Sequence, residues 1–101
     1  MKILAIEREV PGIPAERFQA HLKAEAARAW ELYQAGTIRE LYFRQDAHSA
    51  VLILECRDAE EAAAALATLP LVKEGLITFE IIPLAAYPGF SRLFAEARET
   101  G

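Results

Sequence analysis

Between Phe18 and Tyr33 the apolar positions return with a helical period. At about 100° per residue, Phe18, Leu22, Ala29, Leu32 and Tyr33 share one broad stripe, and Lys23, Ala27, Glu31 and Gln34 lie opposite. Glu25 breaks the pattern, because it falls in the middle of the stripe between Leu22 and Ala29. Pro14 suits the first turn of this helix, where its missing N–H costs nothing, and Gly36 is placed to end it after about Ala35. Ahead of it, KILAIERE (2–9) reads as a strand and PGIP (11–14) as a turn. Behind it, TIRELYFRQD (37–46) and SAVLILEC (49–56) read as two strands joined around Ala47 and His48. Asp58 followed by Glu61 opens a second helix in the manner of a capping box, and Pro70 is expected to close it. LITFEIIPL (76–84) is a fourth strand, and Phe90, Leu93, Phe94 and Ala97 are spaced for one face of a short terminal helix.

The order βαββαβ is that of a ferredoxin-like α+β sandwich. One domain over residues 1–101 is expected, with a core of 1–87 and a C-terminal helical tail of 88–101. The strands do not alternate as a sheet with one wet face should. Ala50, Leu52, Leu54 and Cys56 alternate with Val51 and Ile53; Ile77, Phe79 and Ile81 alternate with Leu76, Ile82 and Leu84. Strict alternation in the second strand separates Leu41 and Phe43 from Ile38 and Tyr42. Two helices cover one face only. A second copy packed sheet to sheet, as in a dimeric α+β barrel, is the expected cover for the other.

Composition narrows the partners. Hydrophobic residues make up 53% of the chain, enough for a folded core, though much of that is alanine, which adds little buried area. Eleven Lys and Arg are scattered among fifteen acids, for a net charge of −4 and a pI near 5.2. No basic face for nucleic acid is expected from this. No run approaches the roughly 18 apolar residues of a membrane span, and the N-terminus reaches charge by Glu7, too soon for a signal peptide. A single cysteine, Cys56, excludes an internal disulfide and fits a reducing cytoplasm. His21, His48 and Cys56 match no metal spacing, and no phosphate loop or Ser-His-Asp order is present, so neither metal nor cofactor is expected.

Glu25 therefore carries the candidate chemistry. An ionised carboxylate on a helix face that packs on a sheet must be paired, neutralised or open to a cavity. Arg28 on the helix flank and Arg39 or Arg44 on the second strand are the cations that could pair with it, and His21 lies one turn before it. In the alternative, Glu25 lines a small apolar cavity between helix and sheet, where burial raises its pKa and makes it a stronger base towards a carbon acid. The small Ala26 and Ala29 and the polar aromatics Tyr33 and Tyr42 suit such a cavity.

KAEAARAWELYQAGTIRELYFR, followed by ATLPL and FEIIPLAAYP, resembles the muconolactone isomerase family over about residues 20–88. The resemblance implies a ferredoxin-like subunit that pairs through its sheets and often builds rings of dimers. It implies a cofactor-free proton shift in an unsaturated five-membered lactone, in a route of aromatic breakdown. In that scheme Glu25 is the proton shuttle, Tyr42 donates to the developing oxyanion, and Arg39 or Arg44 anchors the substrate's carboxylate, with His21 and Tyr33 nearby. The chain carries Ala24, Ala26, Glu40 and Tyr87 where the family pattern is basic. A weaker positive field should select less for an anionic lactone, so scaffold and base are expected to persist with a different small-molecule substrate. Two other readings stand beside this one: a cofactor-independent oxygenase using Trp30, Tyr33 and Tyr42, and a non-catalytic binding or assembly module with Glu25 salt-bridged.

Overall fold

The computed structural model describes residues 1–94 and forms one four-stranded antiparallel sheet in the order β2-β3-β1-β4. The strands are β1 (Lys2–Glu9), β2 (Ile38–Phe43), β3 (Ala50–Glu55) and β4 (Ile77–Pro83). Helices α1 (Ala15–Gln19) and α2 (Leu22–Gln34) join β1 to β2, and α3 (Ala59–Leu66) and α4 (Pro70–Lys73) join β3 to β4. This is the expected βαββαβ order, with α1–α4 on one face. Pro83 is tolerated because β4 is an edge strand. No helix among the described residues is long and apolar enough to cross a membrane.

The caps follow from sequence. Asp58 accepts the Glu61 backbone N–H at 2.8 Å, opening α3. Gly36 sits at φ +82°, and the Gly36 and Thr37 N–H groups reach the Tyr33 and Leu32 carbonyls, the double bond of a Schellman stop for α2.

Four expectations are corrected. The long first helix is two: the His21 N–H bonds back to the Phe18 carbonyl at 2.9 Å, three residues away, and regular helix resumes only when Glu25 N–H reaches the His21 carbonyl. This tight turn lets Phe18 pack with Ile13 against Leu71, Leu76 and Ile77, apart from the direction of α2. Pro70 does not close a helix. It stands at the first position of α4, where its ring and missing N–H are harmless. In β2, the register with β3 shifts between Ile38 and Glu40. The extra residue of this bulge reverses the alternation, so Ile38, Leu41 and Phe43 all face the helices, and Glu40 and Tyr42 face away. Finally, Gly89–Phe94 is a 3₁₀ turn rather than an α-helix, with Phe90, Leu93 and Phe94 exposed; Ala97 lies outside the described residues.

The main core lies between one half of the sheet and the helices. Ile3, Ala5, Leu52 and Leu54 of the centre strands meet Leu32 of α2, Ile38, and Ala62, Leu66 and Leu69 from α3 and the turn after it. On the opposite face Leu4, Ile6, Val51, Ile53 and Ile82 stay partly exposed.

Candidate active site

Leu32, near the end of α2, is that helix's one fully buried residue among those described. Towards its start the helix stands off the sheet, and Leu22 is 51% exposed. The stripe that should seal the core instead roofs an open cleft of about 930 Å³. Strand alternation builds the floor. Ile3 and Ala5 of β1 lie in the core, and the next two residues on that face, Glu7 and Glu9, lie beneath the cleft beside Ala50 and Leu52 of β3. Phe18, Leu71 and Ile77 form one flank. Trp30 and Tyr33 of α2 are stacked with ring centroids 5.7 Å apart at the roof, and Phe43 and His48 are stacked at 5.4 Å on the hairpin.

Glu25 is half-buried in the cleft wall. Its Oε1 accepts the Leu71 backbone N–H at 2.9 Å, the first free donor of α4 after Pro70. None of the described cations pairs with it. Arg28 donates to Thr68 Oγ1 at 2.8 Å and pairs with Glu31; Arg39 Nε donates to the Gly36 carbonyl at 2.6 Å; Arg44 forks onto both oxygens of Asp46. Among the described residues Glu25 is therefore a carboxylate in the wall of a largely apolar cleft, with no salt bridge to Arg28, Arg39 or Arg44. Burial pushes its pKa above the ordinary carboxylate value, against the Leu71 N–H, which pulls it down; the charge of Glu7 adds to the rise and His21 opposes it.

The shift has a consequence for stability. A carboxylate whose folded pKa lies above its unfolded one binds more protons folded than unfolded, so stability falls as pH rises between the two values. The cost is absent below the ordinary carboxylate value and complete above the raised one. Denaturant melts across that window should show Glu25→Gln losing less stability with rising pH than the wild type. Parallel curves would mean that Glu25 titrates normally.

The other expected site residues divide. Tyr33 joins Glu25 in the cleft, 50% exposed. His21, at the start of α2, is not in the lining; its Nε2 lies 4.0 Å from the Glu74 carboxylate. Arg39, in the bulge, and Arg44, in the hairpin, are outside the cleft. Tyr42 lies on the far face of the sheet, where it donates to Glu40 at 2.8 Å, and that bond holds its hydroxyl above the usual tyrosine pKa. Sequence reasoning passed over Glu7, Glu9, Phe43 and His48 as site residues, and it gave Trp30, which lines the cleft, a part only in the oxygenase alternative. Alternation along β1 was the available signal for the two glutamates. His48 had none, because only the hairpin's folding stacks it on Phe43.

The fold has known counterparts. A family model described as muconolactone delta-isomerase matches residues 5–89. A crystal structure of muconolactone isomerase superposes with a TM-score of 0.68 at 22% identity, over 87% of this chain and 92% of that one. The 5-chloro-2-hydroxyhydroquinone dehydrochlorinase TftG from Burkholderia phenoliruptrix AC1100, in complex with 2,5-dihydroxybenzoquinone, superposes with a TM-score of 0.64 at 18% identity, over 88% and 98%. At these identities the superpositions show a shared fold. No curated protein sequence matches significantly. The match of the family model over residues 5–89, most of this chain, places the chain in the muconolactone delta-isomerase family.

Proposed function

We propose that the protein catalyses a cofactor-free proton shift in a small unsaturated ring, a lactone or a related metabolite, with Glu25 as the shuttle. The observation that carries this reading is a half-buried carboxylate, free of cationic partners among the described residues, in the wall of an apolar cleft. Glu25 takes a proton from the saturated carbon that lies between the carbonyl and the ring C=C bond. The C–H electron pair enters a dienolate, and the same carboxylic acid returns the proton to the distal carbon, re-forming a C–H bond. The bond from Leu71 N–H fixes one carboxylate oxygen and leaves the other for the substrate. Tyr33 is the hydroxyl placed to donate to the developing oxyanion. Arg39, Arg44 and Tyr42 could act on a ligand only from beyond this cleft, and the scheme does not require them. That TftG holds a dihydroxybenzoquinone on the same fold supports an unsaturated ring as occupant. The direct test is NMR in D₂O with candidate unsaturated lactones and enones. Deuterium entering the ring at the migrating position only in the presence of enzyme supports the scheme, and double-bond migration without exchange at any pH counts against a carboxylate shuttle open to water.

The oligomer belongs to the same proposal. Leu4, Ile6, Val51, Ile53 and Ile82 form an apolar sheet face that no helix among the described residues covers, and a second copy would bury it. Light scattering at micromolar concentration should give at least a dimer mass. Ile53→Glu, at the middle of that face, should shift the population to monomer, because it would place an unpaired charge in the interface. A monomeric wild type would overturn the sheet-to-sheet pairing.

A further inference from the structure

Muconolactone-type chemistry on an acidic substrate requires a cation near the ring, and the charge of this cleft is of the other sign. Three carboxylates face it: Glu25 in the wall and Glu7 and Glu9 on the floor. Among the described lining residues there is no Lys or Arg, and the one side chain able to carry positive charge is His48, exposed at the hairpin rim. The nearby guanidinium groups are held elsewhere, Arg28 by Glu31 and Thr68, and Arg44 by Asp46. The floor carboxylates differ in how far they are occupied. Glu7 Oε1 already accepts the Ala50 N–H at 2.8 Å, while Glu9 is exposed. Carboxylates accept hydrogen bonds and cannot donate them when ionised, so they require donors from the ligand. Apart from Gln19, an uncharged amide, the remaining walls are apolar and aromatic.

We propose that the cleft takes an uncharged, planar, hydroxyl-bearing ring and rejects the same ring when it carries a carboxylate. The ring's hydroxyls donate to the floor carboxylates, its face lies against the aromatic pairs, and an anionic substituent meets like charge. This inference rests on the cleft being the site named above and narrows its substrate class.

The test is binding, and Trp30 reports it. It is the chain's single tryptophan and it lines the cleft, so its indole N–H is one assigned resonance at the site. Hydroquinone and 2,5-dihydroxybenzoate differ by one carboxylate and are titrated separately into ¹⁵N-labelled protein at low salt. Hydroquinone should move the Trp30 signal with an affinity at least about tenfold the higher, since juxtaposed like charges are strongly disfavoured. Added salt and Glu9→Gln should each narrow that gap, as both weaken the field. Equal or tighter binding of the dihydroxybenzoate, or no movement of Trp30 by hydroquinone up to ~10 mM, the weak end for so small a ligand, would overturn the inference. The two proposals fail separately. A selective cleft in a protein whose turnover ignores Glu25→Gln leaves the ligand class standing and removes the shuttle. A cleft preferring the carboxylated ring with Glu25-dependent turnover does the reverse.

Discussion

Glu25→Gln is expected to lower kcat/KM by about 10²-fold or more while leaving the fold intact. The substitution is nearly isosteric and keeps a side-chain oxygen to accept the Leu71 N–H, so the start of α4 stays tied to α2. What it removes is the capacity to hold a proton between two carbons. A shuttle on the reaction path should lose kcat, with KM little changed, because glutamine still fills the same space in the wall. Wild-type kcat should rise with pH as the carboxylate ionises, through a midpoint above the ordinary carboxylate value, since burial raises its pKa. Full activity in Glu25→Gln with an unchanged melting temperature would assign the proton transfer to another group, Glu7 being the next carboxylate in the cleft.

Leu54→Ala is expected to destabilise the protein by about 2–5 kcal/mol. Leu54 is fully buried in β3, an inner strand, where it pairs with Ile3 on one side and Ile38 on the other. Backbone ladders hold both neighbours, so the wall around the deleted methyl groups cannot collapse far, and the upper part of the range applies. A domain of this length has about 5–15 kcal/mol in total. Its Tm should therefore fall by ~10 °C or more, as read by calorimetry. The effect should also reach the cleft, because Leu52, one turn of the alternation away, is shared between core and floor. A loss below about 1 kcal/mol would mean that the core repacks freely around β3.

Much of the architecture was legible because it depends on local pattern. The Asp58 cap, the Gly36 stop, the four strands and the double-sided apolar character of the sheet are properties of a few consecutive residues each. The conflict at Glu25 was equally local, since a helical period of about 3.6 places it in the apolar stripe whatever lies beyond. Its resolution was not. Three arginines stood within plausible reach, and which acceptor each finds depends on the backbone around it: Gly36 turns its carbonyl to Arg39, the hairpin brings Asp46 to Arg44, and the α3–α4 turn offers Thr68 to Arg28.

The bulge in β2 shows the same limit. One inserted residue reverses every side chain after it, and nothing in IRELYF marks the place, so Tyr42 was expected beside Glu25 and lies across the sheet. Period and capping chemistry determined the βαββαβ order, the apolar second face and the misplaced glutamate. Tertiary structure alone decided that α2 stands off the sheet over a cleft, that Glu7 and Glu9 form its floor, and that Glu25 meets a backbone N–H and, among the described residues, no cation. The physical reason is range: periodicity is set by neighbours along the chain, whereas burial and the choice of partner for a charge are set by segments brought together only when the sheet closes.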